Sequence, residues 1–223
     1  MAYDTFSALI CGYGIPKYIF KDPSYHAYLV ACTNWLFENL RDASGSIVLV
    51  GGATDMRRPY KRTEADEMAG WLKKRRDDVE GWTGESLPWK IVSRPGALST
   101  VENLLKFRRI TDPSTDQLVI FCERTRLNRI RELTFAVFPK AREVVIVPVD
   151  FDGSPRRYQP IRNAEQEQQF LAMEKRAASD DRAMRKLRAM MMEKLARMRK
   201  LGPKKGHEQL PRILTELLAK YGD

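Results

Sequence analysis

The sequence predicts an α/β fold with a mostly parallel five-strand sheet and a helical extension at the C-terminal end. Three observations carry that expectation. Five short β-rich runs alternate with stretches of helical periodicity, the signature of βαβ units joined right-handedly. Four of the runs stop at a short polar cluster that opens a helix: Ala8–Cys11 at Gly12-Tyr13-Gly14, Ser46–Val50 at Gly51-Gly52-Ala53-Thr54, Ile91–Ser93 before Ser99–Asn103, and Leu118–Cys122 at Glu123–Arg126. After Pro160 the β-rich runs cease and helical spacing takes over.

The first strand covers about Thr5 to Cys11, and a loop with Gly12, Gly14, Pro16 and Pro23 follows. Ser24 is a candidate N-cap for a helix running to about Arg41. A second strand over Ile47–Val50 leads into a loop bearing Arg57, Arg58, Pro59, Lys61 and Arg62. The next helix, about Thr63 to Arg76, places Ala65, Met68, Ala69 and Leu72 on one face. A turn-rich Gly81–Pro88 segment precedes a third strand, Trp89–Ser93, and Pro95-Gly96 lead to a helix over Thr100–Ile110. Asp112-Pro113-Ser114 breaks that helix before a fourth strand, Gln117–Cys122, a helix over about Arg126–Phe138 and a fifth strand, Glu143–Val149. The Asp150–Pro155 stretch ends the pattern, which divides the chain into an α/β part, 1–160, and a helical part, 161–223. In the latter, Asn163–Leu201 reads as helix with a break near Ala178-Ser179-Asp180, Gly202-Pro203 terminate it, and a short helix covers about Gln209–Tyr221.

Composition bounds the class. With 43% hydrophobic and 30% charged residues, the chain reads as a soluble globular protein. No apolar run approaches the roughly 20 residues that span a bilayer, and no secretory signal opens the sequence, so a cytosolic location is expected. The three cysteines, Cys11, Cys32 and Cys122, lack C-x-x-C spacing and there are only two histidines, so no structural zinc site is expected, and no metal ligand is assigned. Cys11 and Cys122 end predicted strands and read as buried small hydrophobes or as neighbours of a site. The net charge is +10, and more than half of the excess lies in residues 161–223. There Met184, Leu187, Met191, Leu195 and Met198 form a stripe, with Arg185, Lys186, Arg188, Arg199 and Lys200 on the opposite face.

In open parallel sheets, ligands bind beyond the carboxyl ends of the strands, where the unusual residues fall. Gly51-Gly52 permit a sharp turn or a close ligand approach. They match neither a dinucleotide fingerprint nor a P-loop, so neither NAD nor a nucleoside triphosphate is predicted. Glu64 and Glu102 stand at helix starts, where they read as an acid–base pair, as contacts to ligand hydroxyls or amines, as joint metal ligands or, for Ser99 with Glu102, as a capping box. Arg124, Arg126, Arg129 and Arg131, with Arg57, Arg58 and Arg62, read either as an anion site at a helix N-terminus or as a solvated basic face.

The order Gly51-Gly52-x-Thr54, Glu64-Ala65-x-x-Met68, Ser99-Thr100-x-Glu102-Asn103 and Arg129 resembles the SanA/YdcF/ElyC-like family of bacterial domains of unknown function, over about residues 5–150. The resemblance implies a Rossmann-like three-layer αβα sandwich with these motifs around one pocket. It implicates Gly51, Gly52, Thr54, Glu64, Thr100, Glu102, Asn103 and Arg129, to which the strand-end Gly12 and the helix-start Arg126 add themselves as ligand-binding candidates. The chain departs from the family in carrying Ser99 for Asn, Arg126 where the family has His, and Cys11-Gly12-Tyr13-Gly14 for a Leu-Gly-rich run.

Two functions follow as expectations. One is a cytosolic domain that binds or acts on a small anionic or nucleotide-like molecule, with Glu64 and Glu102 as the catalytic candidates and the cofactor unknown; S-adenosylmethionine enters by fold analogy alone. The other is an interaction module whose basic, Met-rich helices bind a partner protein, an anionic membrane or nucleic acid, the last disfavoured because aromatic residues for base stacking are scarce there. Packing of the stripe on its own domain or on a second copy, giving a homo-oligomer, is the simpler expectation for those helices.

Overall fold

The computed structural model describes residues 5–112, 117–141, 143–150 and 164–222. Strands β1 (Thr5–Cys11), β2 (Ser44–Gly51), β3 (Trp89–Pro95), β4 (Gln117–Glu123) and β5 (Val144–Val149) form one sheet in the order β3-β2-β1-β4-β5. Every neighbouring pair is parallel. The chain first winds outward from β1 to β3, then returns to place β4 on the other side of β1. The strand order therefore reverses between β1 and β4, which is where such sheets open a crevice.

Side chains alternate across the sheet with the period of two that a strand dictates. Phe6, Ala8, Ile10, Ile47, Leu49, Val119 and Phe121 pack against α1 (Pro23–Leu40) and α2 (Glu64–Thr83). Leu9, Cys11, Val48, Val50, Leu118, Ile120 and Cys122 pack on the other side, under α3 (Thr100–Arg108) and α4 (Leu127–Val137). The fold is thus the α/β three-layer sandwich with a five-strand parallel sheet. Asp22, not Ser24, caps α1: its carboxylate accepts from the Tyr25 amide at 3.0 Å, while Pro23 takes the first helical position and Ser24 is buried. Thr63 and Ser99 cap α2 and α3.

Among the described residues four further helices follow: α5 (Ala164–Ala177), α6 (Asp181–Leu201), α7 (Pro203–Glu208) and α8 (Leu210–Tyr221). The expected break at 178–180 is present, and Asp180 caps α6. The short α7, begun by Pro203, went unread in the sequence. Phe170, Met173, Leu187, Met190, Met191, Met198, Ile213 and Leu217 join the cluster beneath α3 and α4, so the stripe packs on its own chain. The opposite face is not wholly solvated. Arg188 bonds Glu102 and the Gly96 carbonyl, and Arg199 bonds the Ala53 and Asp55 carbonyls and stacks over Tyr60. The division near residue 160 and the breaks read at 113–114 and 151–155 lie outside the described residues. No helix among the described residues is long and apolar enough to cross a membrane.

Candidate functional site

A cavity of about 220 Å³ lies at the carboxyl edge of the sheet, beside the reversal between β1 and β4. Gly12, Tyr13 and Gly14 line it from the β1 loop, Thr54 from the β2 loop, and Glu64 from the first turn of α2. Ser99, Thr100 and Asn103 come from the start of α3, and Arg126 and Arg129 from beyond β4. The opposite wall belongs to the C-terminal helices, with Met191, Lys194, Leu195, Met198 and His207. Thus Gly12, Thr54, Glu64, Thr100, Asn103, Arg126 and Arg129 come together as the sequence predicts, whereas Gly51, Gly52 and Glu102 do not line the cavity.

Glu64 is the buried acid of the site. Its backbone amide donates to the Gly52 carbonyl at 3.0 Å. Its Oε1 accepts from the Thr54 hydroxyl at 2.6 Å and from the Gly14 amide at 2.7 Å. Burial pushes its pKa above the ordinary 4.5, and this outweighs those two hydrogen bonds and the nearby charges of Arg126 and Lys194. A carboxyl so placed can hold a proton at higher pH than an exposed one and give it to a ligand.

The glycines explain how Glu64 is seated. A Cβ on Gly51 would fall 2.5 Å from the Glu64 Cβ, and one on Gly12 would fall 2.6 Å from its Oε2. These positions make room for an acidic side chain lying across two strand ends, not for a ligand. A Cβ on Gly52 would meet the Ala97 carbonyl oxygen at 2.3 Å, so that glycine lets the β3–α3 loop pass.

The β1 loop is likewise committed to the protein. The Tyr13 amide donates to the Tyr25 hydroxyl at 2.8 Å, and that hydroxyl donates to the Gly14 carbonyl at 2.6 Å. With the Gly14 amide on Glu64, these donors are used internally. Helix α1 begins only at Pro23, and no residue of its first turn lines the cavity. The two features that grip a pyrophosphate in dinucleotide folds, free loop amides and an adjoining helix N-terminus, are therefore both missing from this loop.

Glu102 is a structural acid. The Glu102 amide donates to Ser99 Oγ at 3.3 Å, and the Glu102 carboxylate accepts from the Leu98 amide at 2.5 Å and from Arg188. It closes the cap of α3 and ties α6 to it, so the expected pairing of Glu64 with Glu102 across one crevice is not what the fold builds. Arg57 and Arg62 are also structural: both pair with buried Asp55, at 3.0 and 2.7 Å, and bind carbonyls of residues 15–17. Arg124 pairs with Asp150 at 2.8 Å.

Of the arginines read as an anion site at the helix start after β4, Arg129 is already met by a carboxylate of the chain itself. Glu174 of α5, fully buried, receives Arg129 Nε and Nη2 on Oε2, each at 2.8 Å. Its Oε1 accepts from the Thr100 and Val101 amides at 3.0 and 3.4 Å. Arg129 also lies over Phe170 at 4.6 Å. Arg126 differs. It stacks over Tyr13 at 4.6 Å, and among the described residues no carboxylate pairs with it and no hydrogen bond occupies it. It is the guanidinium on the cavity wall that remains available.

Sequence reasoning missed Glu174, Lys194 and His207. Glu174 left a signal, because it falls on the apolar face of α5 with Phe170, Met173 and Ala177. A carboxylate at a core position demands a buried partner. Lys194 and His207 left none, since only the docking of α6 and α7 brings them to the cavity. His207 Nδ1 lies 2.6 Å from the Pro203 carbonyl oxygen, which can only accept, so Nδ1 carries the proton and a neutral ring leaves Nε2 as an acceptor. Among the described residues no three His, Cys, Asp or Glu side chains gather as metal ligands would. Comparison with family models, curated proteins and solved structures returns no match to this chain.

Proposed function

We propose that this chain binds a small anionic ligand in the cavity at the carboxyl edge of its sheet, with Arg126 as the anion contact and Glu64 as the proton-bearing group. The observation that supports this best is the Arg126 guanidinium, which no carboxylate among the described residues pairs with, on a wall shared with Lys194 and a buried acid. The space of about 220 Å³ is enough for a small anion, and it opens to solvent on one side. Membership of the SanA/YdcF/ElyC-like family is part of the proposal. Its support is that Thr54, Glu64, Thr100, Asn103 and Arg129, all named by the resemblance, line this cavity, and that Gly51 seats the Glu64 side chain. A cytosolic location is proposed with it. The alternative, an interaction module built on the C-terminal helices, loses its starting point because the apolar stripe is covered by the chain's own core.

The test is a thermal-shift and calorimetric screen of small phosphates and carboxylates. A ligand at 100 times its dissociation constant stabilises by about 2.7 kcal/mol. Arg126→Ala should abolish the shift, and affinity should fall with salt. Binding that is indifferent to both would sink the proposal.

A further inference from the structure

We propose that the chain docks on an anionic lipid surface through the loops that follow β1 and β2. The loop after β1 carries Lys17-Tyr18-Ile19-Phe20-Lys21, with a 3-10 turn over Ile19–Lys21. Ile19 is buried and pins the segment, while Tyr18 is 60% and Phe20 55% exposed on either side of it. Single exposed apolar side chains are ordinary, whereas large rings held out together mark a contact surface. Lys17, Lys21, Arg58 and Lys61 are exposed as well. Neither segment, 15–21 or 56–63, contains an acidic residue.

The two loops form one platform. Arg57 donates to the Ile15 and Pro16 carbonyls, and Arg62 to those of Pro16 and Lys17. Both also pair with buried Asp55. These two arginines are taken up in holding the loops together, which leaves the other four cations facing outward beside the rings. That mixture of groups selects the partner. A tyrosine sets an apolar ring and a polar tip at the headgroup level of a bilayer, and a phenylalanine has no polar atom to keep it in water. Each lysine or arginine near an anionic membrane strengthens attachment by about fivefold. Base stacking on nucleic acid needs ring faces clear of other groups, whereas the Lys17 ammonium lies over the Tyr18 ring at 5.3 Å. Neither 17–21 nor 57–62 lines the cavity, so this surface stands apart from the anion-binding reading. Gly12, Gly14 and Thr54, which do line it, belong to the same two loops, so docking turns the carboxyl edge of the sheet toward the lipid.

The experiment is co-sedimentation of the full chain with two sets of vesicles, phosphatidylcholine alone and an about two-to-one mixture of phosphatidylcholine with phosphatidylglycerol. The expected result is binding to the mixed vesicles that falls with salt, and weak or no binding to phosphatidylcholine alone. Tyr18→Ala with Phe20→Ala should weaken partitioning by about tenfold or more. Lys17→Ala and Lys21→Ala should each weaken it by about fivefold. Trp82→Ala, which removes a ring 75% exposed in the last turn of α2, should leave it unchanged. Should the aromatic pair fail to fold when replaced, the lysine variants still decide. No binding to the mixed vesicles, equal binding to both sets, or binding that survives the aromatic and lysine changes overturns the inference. Single-stranded RNA that binds through Tyr18 and Phe20 and displaces the vesicles would also overturn it, and would assign the surface to nucleic acid.

Discussion

Replacing Glu174 tests whether the C-terminal helices are fastened to the α/β part by one internal carboxylate. Glu174 is fully buried, Arg129 retains only 10% exposure of its side chain, and two α3 amides end on the same carboxylate. Glu174→Ala strips all three donors at once. Arg129 keeps only Glu167, at 3.5 Å and on the rim. Removing one member of a buried pair costs about 3–5 kcal/mol. One kcal/mol moves Tm by roughly 2–4 °C in a chain of this size, so the expected fall is roughly 6–20 °C. Glu174→Gln keeps an acceptor for the amides and should cost less. Arg129→Met with Glu174→Met removes both charges and should recover part of the loss, giving a coupling energy above about 1.5 kcal/mol in a double-mutant cycle. Urea unfolding of the four proteins measures it. A cost below about 1 kcal/mol for Glu174→Ala would refute the reasoning, because it would mean that water already reaches the pair.

Other consequences are open to similar tests. Glu102→Gln and Arg188→Ala should each lower stability, by about 1–3 kcal/mol, without changing ligand affinity; an affinity loss matched by no stability loss would return Glu102 to the site. Gly51→Ala should destabilise by about 1–3 kcal/mol, since its methyl must displace the Glu64 side chain, and an unchanged urea midpoint would refute the seating role of that glycine. Because the pKa of Glu64 is raised in the fold, the unfolded chain ionises first as pH climbs above 4.5. The contribution of Glu64 is therefore complete below that pH and falls as pH rises through the raised value. Glu64→Gln should flatten this slope when urea midpoints are compared between about pH 4 and 7. A chain ending at residue 160 uncovers the apolar side of α3 and α4 and should aggregate or fail to fold; a soluble, folded product would show that the helices cover nothing essential.

The sheet was legible because its signals are local. Each strand announces itself by an apolar run and a polar stop, and β1 falls where the sequence places it, from Thr5 to Cys11. The cap of α3 was legible at Ser99, whereas the cap of α1, read at Ser24, is Asp22, two residues earlier. Periodicity located the stripe on α6 but carried no information about what it would cover. The site was half legible for the same reason. The groups on strand-end loops, Gly12, Thr54, Glu64 and Arg126, follow from topology once the sheet is parallel. Lys194 and His207 reach the cavity through the packing of distant helices, and no spacing rule connects residue 64 with residue 207.

The misplaced assignments share one cause. A sequence shows which groups can bind an anion or make room for one, but not whether the chain itself supplies the partner. The α3 amides and Arg129 have the chemistry of an anion site, and Glu174 fills it. Gly12 and Gly51 have the shape of a close approach, and Glu64 makes it. Glu102 has the position of a catalytic acid, and Arg188 takes its charge. Each such self-satisfied group narrows what remains for a ligand, until Arg126 and the buried acid Glu64 stand out among the described residues that line the cavity. The C-terminal helices thereby shape the cavity twice: Glu174 takes up Arg129 and the α3 amides outright, and Met191, Leu195 and Met198 wall the space beside them.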